Sequence, residues 1–127
     1  MSFDYDTLSE INRSINENVQ YVSDSDQYHL SEFWEVARDK GDCEDYALKK
    51  FKLCAERGIP LESMRLAVCG VFNPLGDHAV LLVTDSEKQT WVLDNRYPYP
   101  MPYQDLPYTW VSIFNPVDKK WHKPVLT

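Results

Sequence analysis

The sequence predicts an α+β fold in which N-terminal helices pack on an antiparallel β-sheet. Two observations carry this prediction. Before Gly58 the apolar residues recur at steps of three and four, which is the period of a helix, whereas after Pro60 they form short runs typical of strands, separated by turn-forming residues. The chain has 127 residues, the usual size of one domain. Residues 1–127 are therefore predicted to form a single domain.

Three helices are predicted, and the third has the strongest pattern. The first spans Tyr5–Gln20, and a short second one spans Ser31–Arg38. The third begins at Asp42 or Cys43 and ends near Arg57, because a glycine and a proline follow. We expect one of its faces to be buried and the other to face water, with Ala47, Leu48, Phe51, Cys54 and Ala55 on the first and Lys49, Lys50 and Lys52 on the second.

Four strands are predicted in the second half of the chain. Met64–Phe72, His78–Thr84 and Thr90–Asp94 are apolar segments joined by short polar turns, which is the pattern of an antiparallel meander. A proline- and tyrosine-rich segment, Arg96–Pro107, follows and is expected to be an extended irregular loop. The last strand is predicted at Tyr108–Phe114.

The composition excludes several classes of function. The chain carries 20 acidic and 13 basic residues, a net charge of −7, and this field repels the phosphates of nucleic acids. No apolar run approaches the roughly 20 residues that span a bilayer, so we expect no membrane insertion. The three cysteines contain no CxxC pair, which argues against a disulfide framework or a zinc site.

Cys43 is the first candidate for a catalytic residue, because it lies at the start of the predicted helix with the clearest pattern. Unpaired backbone N–H groups and the helix dipole at such a position favour a thiolate, the nucleophilic form of cysteine. A cysteine is more often a small buried hydrophobic residue, and this interpretation suits Cys54 and Cys69, which lie among apolar residues. It suits Cys43 poorly, because glycine and carboxylate residues surround it.

His78 and Asp94 are the partners that such a nucleophile requires. His78 opens one predicted strand and Asp94 ends the next, so antiparallel pairing would bring the two side chains together at one end of the sheet. In a Cys-His-Asp triad, the aspartate binds one imidazole nitrogen of the histidine, and the other imidazole nitrogen faces the thiol. Taken singly, the histidine is more often structural, and the aspartate more often ends a strand in a turn.

Four segments of the chain, in order, carry a specific set of motifs: Gly41–Ala47, Leu66–Val71, His78–Leu81 and Trp91–Asn95. Together they resemble the bacterial transglutaminase-like cysteine proteinases, the LapG-like family of the papain-like/transglutaminase superfamily. The similarity extends from about Ile11 to Trp121. It implies a papain-like/transglutaminase-like fold in which Cys43 is the nucleophile, His78 the base and Asp94 the residue that orients the base.

Three carboxylates, Asp42, Glu44 and Asp45, lie next to Cys43. Their charge opposes a thiolate, and a bound cation would remove that conflict; carboxylate oxygens suit calcium better than zinc. The resemblance implies the same metal, since LapG-like proteases depend on calcium through acidic residues beside the cysteine, here Asp42 and Glu44. Asp45 is a weaker ligand candidate because it can cap the helix instead. Acidic residues are also favoured in the first turn of any helix, whether or not a metal binds.

The sequence therefore predicts a calcium-dependent cysteine peptidase that hydrolyses a peptide bond of a protein substrate through an acyl-enzyme. The same acyl-enzyme would serve a transglutaminase or an amidase acting on glutamine side chains, so that alternative stays open. A third hypothesis is a binding module without activity on the same scaffold, against which the complete triad argues. No substrate sequence and no regulatory protein partner can be named.

The expected localisation depends on whether the N-terminus is native. Residues Met1–Asp6 are acidic and contain no apolar signal segment, so the sequence as written predicts a cytoplasmic protein. Relatives that cut surface adhesins work in the periplasm, and this chain is expected there if a signal peptide has been removed.

Overall fold

The computed structural model describes residues 5–17 and 43–124, and of residues 43–45 it describes the backbone. In these ranges two α-helices precede a six-stranded antiparallel sheet. The helices are α1 (Tyr5–Glu17) and α2 (Cys43–Glu56), and the strands are β1 (Met64–Gly70), β2 (His78–Thr84), β3 (Thr90–Leu93), β4 (Met101–Pro102), β5 (Thr109–Asn115) and β6 (Lys120–His122). This architecture confirms the predicted α+β class.

The strands lie in the order β4-β3-β2-β1-β5-β6, and every pairing is antiparallel. The first three strands form the predicted meander, and β5 then returns to pair with the far side of β1. The segment predicted as an irregular loop contains β4 and a 3-10 turn at Tyr103–Asp105. The strand β6 was not predicted, because three residues that begin with a lysine carry no apolar pattern. The predicted helix at Ser31–Arg38 lies outside the described residues, as does the end of the first helix beyond Glu17.

Both faces of the sheet are covered by apolar side chains. On one face, residues of α1 and α2 pack against alternate residues of β1, β2 and β3, with Leu8, Ile11, Ala47, Phe51, Cys54, Leu66, Val68, Leu81 and Leu93 in this cluster. On the other face, the segment between β4 and β5 supplies Leu106 and Tyr108, which pack on Ala67, Cys69, Val80, Leu82 and Val92. Cys54 and Cys69 are fully buried, in agreement with their predicted place in the core.

The connection between α2 and β1 determines which end of the sheet the start of α2 approaches. Seven residues, three of them in a 3-10 turn, join the end of α2 to the start of β1. The helix has 14 residues and the strand has seven, so each is roughly 20 Å long. The helix α2 packs on β2 and ends near the start of β1. Its first turn therefore lies toward the end of the sheet where β1 ends and β2 begins.

Candidate active site

His78 and Asp94 form a buried hydrogen-bonded pair at this end of the sheet. The distance between His78 Nε2 and Asp94 Oδ1 is 2.7 Å, and the side chains are 8% and 0% exposed. His78 is the first residue of β2, and Asp94 follows the last residue of β3. Since Leu81 pairs with Leu93, the start of β2 and the end of β3 are neighbours, as the sequence predicted.

His78 lies on the sheet face that is opposite the helices. It alternates along β2 with Val80 and Leu82, and Asp94 comes directly after β3, two residues beyond Val92. Because successive side chains of a strand point to opposite faces, His78, Val80 and Leu82 share one face. Val80, Leu82 and Val92 belong to the apolar cluster of that face, which excludes water from the pair.

Each oxygen of the Asp94 carboxylate accepts hydrogen bonds from neighbouring residues. Oδ1 accepts the backbone N–H of Arg96 at 2.9 Å as well as the histidine, and Oδ2 accepts the Tyr108 hydroxyl at 2.5 Å. Burial raises the pKa of the Asp94 carboxyl, but the hydrogen bond and charge of His78, together with the other two hydrogen bonds, hold it below its usual range. Asp94 is therefore ionised at neutral pH.

The helix α1 fixes the turn that carries Asp94. Asn16 Nδ2 donates to the backbone carbonyls of Asp94 and Tyr97 at 3.1 and 3.0 Å, and Asn12 Nδ2 donates to that of Tyr97 at 3.0 Å. Both asparagines lie on the side of α1 that faces this turn. The sequence predicted only that this segment is a helix, and these three hydrogen bonds were not predicted.

Lys50 of α2 is fully buried, although the sequence predicted that it faces water. Among the described residues no hydrogen-bond acceptor reaches its Nζ, which lies 5.9 Å from the centre of the Tyr46 ring. Burial lowers the pKa of Lys50 to about 7, although the negative charge of Asp94 works in the opposite direction. Lys52, also predicted to face water, is buried too.

We expect Lys50→Met to raise the free energy of unfolding at pH 7, because methionine fills a similar volume without a desolvated amine. The folded-state pKa of about 7 lies below the ordinary value of 10.5, so between these values the unfolded chain binds more protons. Wild-type stability should then rise with pH by up to roughly 1.4 kcal/mol per pH unit, and the advantage of the variant should shrink. Denaturant unfolding at pH 7 and pH 9 measures both, with Lys49→Met as the control on the same helix. An advantage that does not change with pH would contradict this prediction.

The nucleophile candidate, Cys43, is the first residue of α2, which agrees with the predicted start of the third helix. The side chains of Cys43, Glu44 and Asp45, and all of Asp42, lie outside the described residues, so the thiol contact and the calcium ligands stay predictions. Within the described ranges, no three His, Cys, Asp or Glu side chains come together as a metal site. No described helix has the length and apolar character needed to cross a membrane.

A groove with a volume of about 1010 Å³ lies on the face that carries the pair. It is bordered by Tyr108, by Tyr103 and Trp110, whose rings stack with centres 4.5 Å apart, and by the end of β2 at Thr84. Thr84 is six residues from His78 along the strand, and neither His78 nor Asp94 lines the groove.

The structure thus places a buried histidine–aspartate pair at the end of the sheet that the first turn of α2 approaches. The chain belongs to the bacterial transglutaminase-like cysteine proteinases (BTLCP), because the sequence profile of that family matches residues 2–124. The family predicted from the motifs is thus confirmed.

Solved structures of LapG from Legionella pneumophila share the fold. The calcium-bound form has a TM-score of 0.60 and 23% sequence identity, over 85% of this chain and 63% of that chain. The EGTA-treated form has a TM-score of 0.61 and 20% identity, over 91% of this chain and 69% of that one. The chain thus spans about 63% of the length of the calcium-bound LapG. These similarities confirm the predicted papain-like/transglutaminase-like fold. No curated protein sequence matches the chain.

Proposed function

We propose that this protein is a peptidase that hydrolyses a peptide bond of a protein substrate, with Cys43 as the nucleophile, His78 as the general base and Asp94 as the residue that orients it. The observation that carries the proposal is the buried His78–Asp94 hydrogen bond of 2.7 Å. With Nε2 donating to the carboxylate, Nδ1 is the nitrogen that exchanges a proton with the thiol. Membership of a cysteine proteinase family and the position of Cys43 at the start of α2 support this assignment.

The reaction follows from these roles. The thiol proton of Cys43 passes to His78, and the sulfur attacks the carbonyl carbon of the scissile bond. The imidazolium then gives its proton to the leaving amine, and the C–N bond breaks to leave a thioester. Water, deprotonated by His78, attacks the thioester and releases the new carboxyl terminus with the thiol restored. The backbone N–H of Cys43 is suited to stabilise the oxyanion of both steps.

The test is a search for peptide bonds that the wild-type protein cuts and the Cys43→Ala variant does not. Bacterial protein extracts are incubated with each, and newly formed N-termini are labelled and sequenced by mass spectrometry. New N-termini that depend on Cys43 would support a peptidase. If an added primary amine is instead incorporated into glutamine side chains without new N-termini, the protein is a transglutaminase. No change of either kind would favour the binding module.

We further propose that calcium binds next to Cys43 through Asp42 and Glu44, with Asp45 as an additional candidate. The donor set fits, because carboxylate oxygens are the ligands that calcium prefers. The existence of a calcium-bound LapG of the same fold supports the choice of metal. Bound calcium would neutralise the carboxylates that oppose the Cys43 thiolate.

Removal of calcium is expected to lower both the melting temperature and the activity. A ligand that binds the folded state stabilises it by about 2.7 kcal/mol at 100 times its Kd, so a chelator should lower Tm by several degrees, and added calcium should restore it. Differential scanning fluorimetry with EGTA and then with excess calcium measures this. The variant with Asp42→Ala and Glu44→Ala should show no calcium response. The control with Glu62→Ala and Glu87→Ala removes as many exposed carboxylates and should respond like the wild type. If both double variants respond alike, Asp42 and Glu44 are ordinary residues of a helix start.

A further inference from the structure

Tyr108 contacts the Asp94 oxygen that His78 does not use. Its hydroxyl lies 2.5 Å from Asp94 Oδ2, whereas Nε2 of the histidine lies 2.7 Å from Oδ1. The tyrosine is 8% exposed, and its ring meets the His78 imidazole edge-on, with centres 5.9 Å apart. Water has little access to Oδ2, so the hydroxyl supplies the hydrogen bond that a buried carboxylate oxygen requires.

Arg96 fixes the direction in which this hydroxyl donates. Arg96 Nη1 donates to the Tyr108 oxygen at 3.2 Å, and its guanidinium lies 5.8 Å from the centre of the Tyr108 ring. A guanidinium has no acceptor, so the tyrosine oxygen accepts this bond and its own hydrogen points to Asp94. Burial and the charge of Asp94 raise the pKa of Tyr108, so the hydroxyl stays protonated. A chain of hydrogen bonds therefore runs from Arg96 through Tyr108 and Asp94 to His78.

We propose that Tyr108 is a positioning residue for the reaction, which acts on His78 through Asp94. It holds the carboxylate in the rotation that presents Oδ1 to Nε2. By taking part of the negative charge on Oδ2, it also keeps the shared proton on the imidazole. The effect of Tyr108 on cleavage rests on the proposed function. The effect of Tyr108 on the His78–Asp94 pair does not, because it can be measured in the protein without substrate.

The test uses Tyr108→Phe, which keeps the ring against His78 and removes the hydroxyl. The control is Tyr103→Phe, which removes a hydroxyl from the neighbouring tyrosine of the same face, whose ring stacks on Trp110. Both changes are made in the Cys43→Ala protein, and proton and ¹⁵N NMR follow the Nε2–H resonance and the titration of His78. Without the hydroxyl, the carboxylate attracts the imidazolium more strongly. We therefore expect the titration midpoint of His78 to rise and the Nε2–H resonance to move in Tyr108→Phe, with neither change in Tyr103→Phe.

In the protein with Cys43 intact, Tyr108→Phe should lower kcat by roughly ten- to a hundredfold with little change in KM. If Tyr108→Phe does not fold, Arg96→Met provides the second variant, since it keeps the tyrosine and removes the group that directs its hydroxyl. It should shift the His78 signals in the same direction by a smaller amount.

Two outcomes separate this inference from the proposed function. If His78 responds as expected but no Cys43-dependent cleavage exists, the positioning of the pair stands and the peptidase assignment fails. If cleavage exists and Tyr108→Phe matches Tyr103→Phe in kcat and in the His78 signals, Tyr108 only fills space and the inference is wrong.

Discussion

Replacing Cys43 with alanine is expected to abolish cleavage, and replacing His78 with alanine is expected to do the same. Loss of a nucleophile or of its base removes the covalent pathway, and such losses typically cost at least about a thousandfold in turnover. Both variants should keep the wild-type circular dichroism spectrum. The measurement is the initial rate of release of new N-termini from the substrate that the proteomic search identifies. Full activity of His78→Ala would exclude the triad.

The other two cysteines provide the matched control for Cys43. Cys54 is fully buried on α2, and burial raises the pKa of its thiol to about 12. A thiolate at this position is therefore rare near neutral pH, and alkylation of Cys54 by iodoacetamide should be slow. Cys54→Ala should retain activity, whereas Cys43 should be alkylated first in the wild-type protein. Equal alkylation rates of Cys43, Cys54 and Cys69 in the folded protein would remove the main support for a thiol enzyme.

Replacing Asp94 with asparagine is expected to lower kcat by roughly a thousandfold while the protein still folds. The amide nearly matches the shape of the carboxylate but has one oxygen. With its NH₂ group turned to Nε2, it keeps an acceptor for the Tyr108 hydroxyl but not for the N–H of Arg96. The amide has no charge to stabilise the imidazolium, and its NH₂ group can donate to Nε2 and so stabilise the wrong tautomer of His78. The pH dependence of kcat for both proteins measures the effect, and the acidic limb should shift in the variant.

Stability in acid provides a second readout for Asp94. The pKa of this carboxyl is lowered in the folded protein, so its stabilising contribution is present above the unfolded value and is lost as pH falls through the folded one. Asp94→Asn should therefore lose less stability than the wild type between pH 5 and pH 3. Glu62→Gln is the control, because its carboxyl is exposed in the 3-10 turn that precedes β1. If Asp94→Asn and the wild type lose the same stability over this range, Asp94 does not stabilise the fold as a carboxylate.

The sequence was sufficient to predict the helices and strands that have a clear pattern of apolar residues within their own segment. The helical period defined α2, and apolar runs between turns defined β1, β2 and β3, so the pairing of His78 with Asp94 followed from strand order. Contacts made by distant polar residues carry no such pattern. The asparagines of α1 that hold the Asp94 turn were not singled out in the sequence. Lys50 was placed in water because an unpaired lysine rarely lies in a core.

The part of the site that comes from the segment between β4 and β5 could not be predicted from the sequence either. Its prolines and tyrosines predicted an irregular loop, which described the composition but not the place where the loop packs. Tyr108 was read as the first residue of a strand, and only the return of β5 to β1 brings its hydroxyl to Asp94. The return of β5 next to β1 instead of β3 was not predicted, because strand order depends on the whole sheet.

That return of β5 also has a consequence for biosynthesis. A ribosome makes the helix with Cys43 first, then His78 and Asp94, and only afterwards the tyrosine and the strand that closes the far side of β1. Until that strand emerges, one side of β1 has no partner and Asp94 Oδ2 has no donor from Tyr108. The order of the strands thus delays a fully ordered histidine–aspartate pair until β5 has been made.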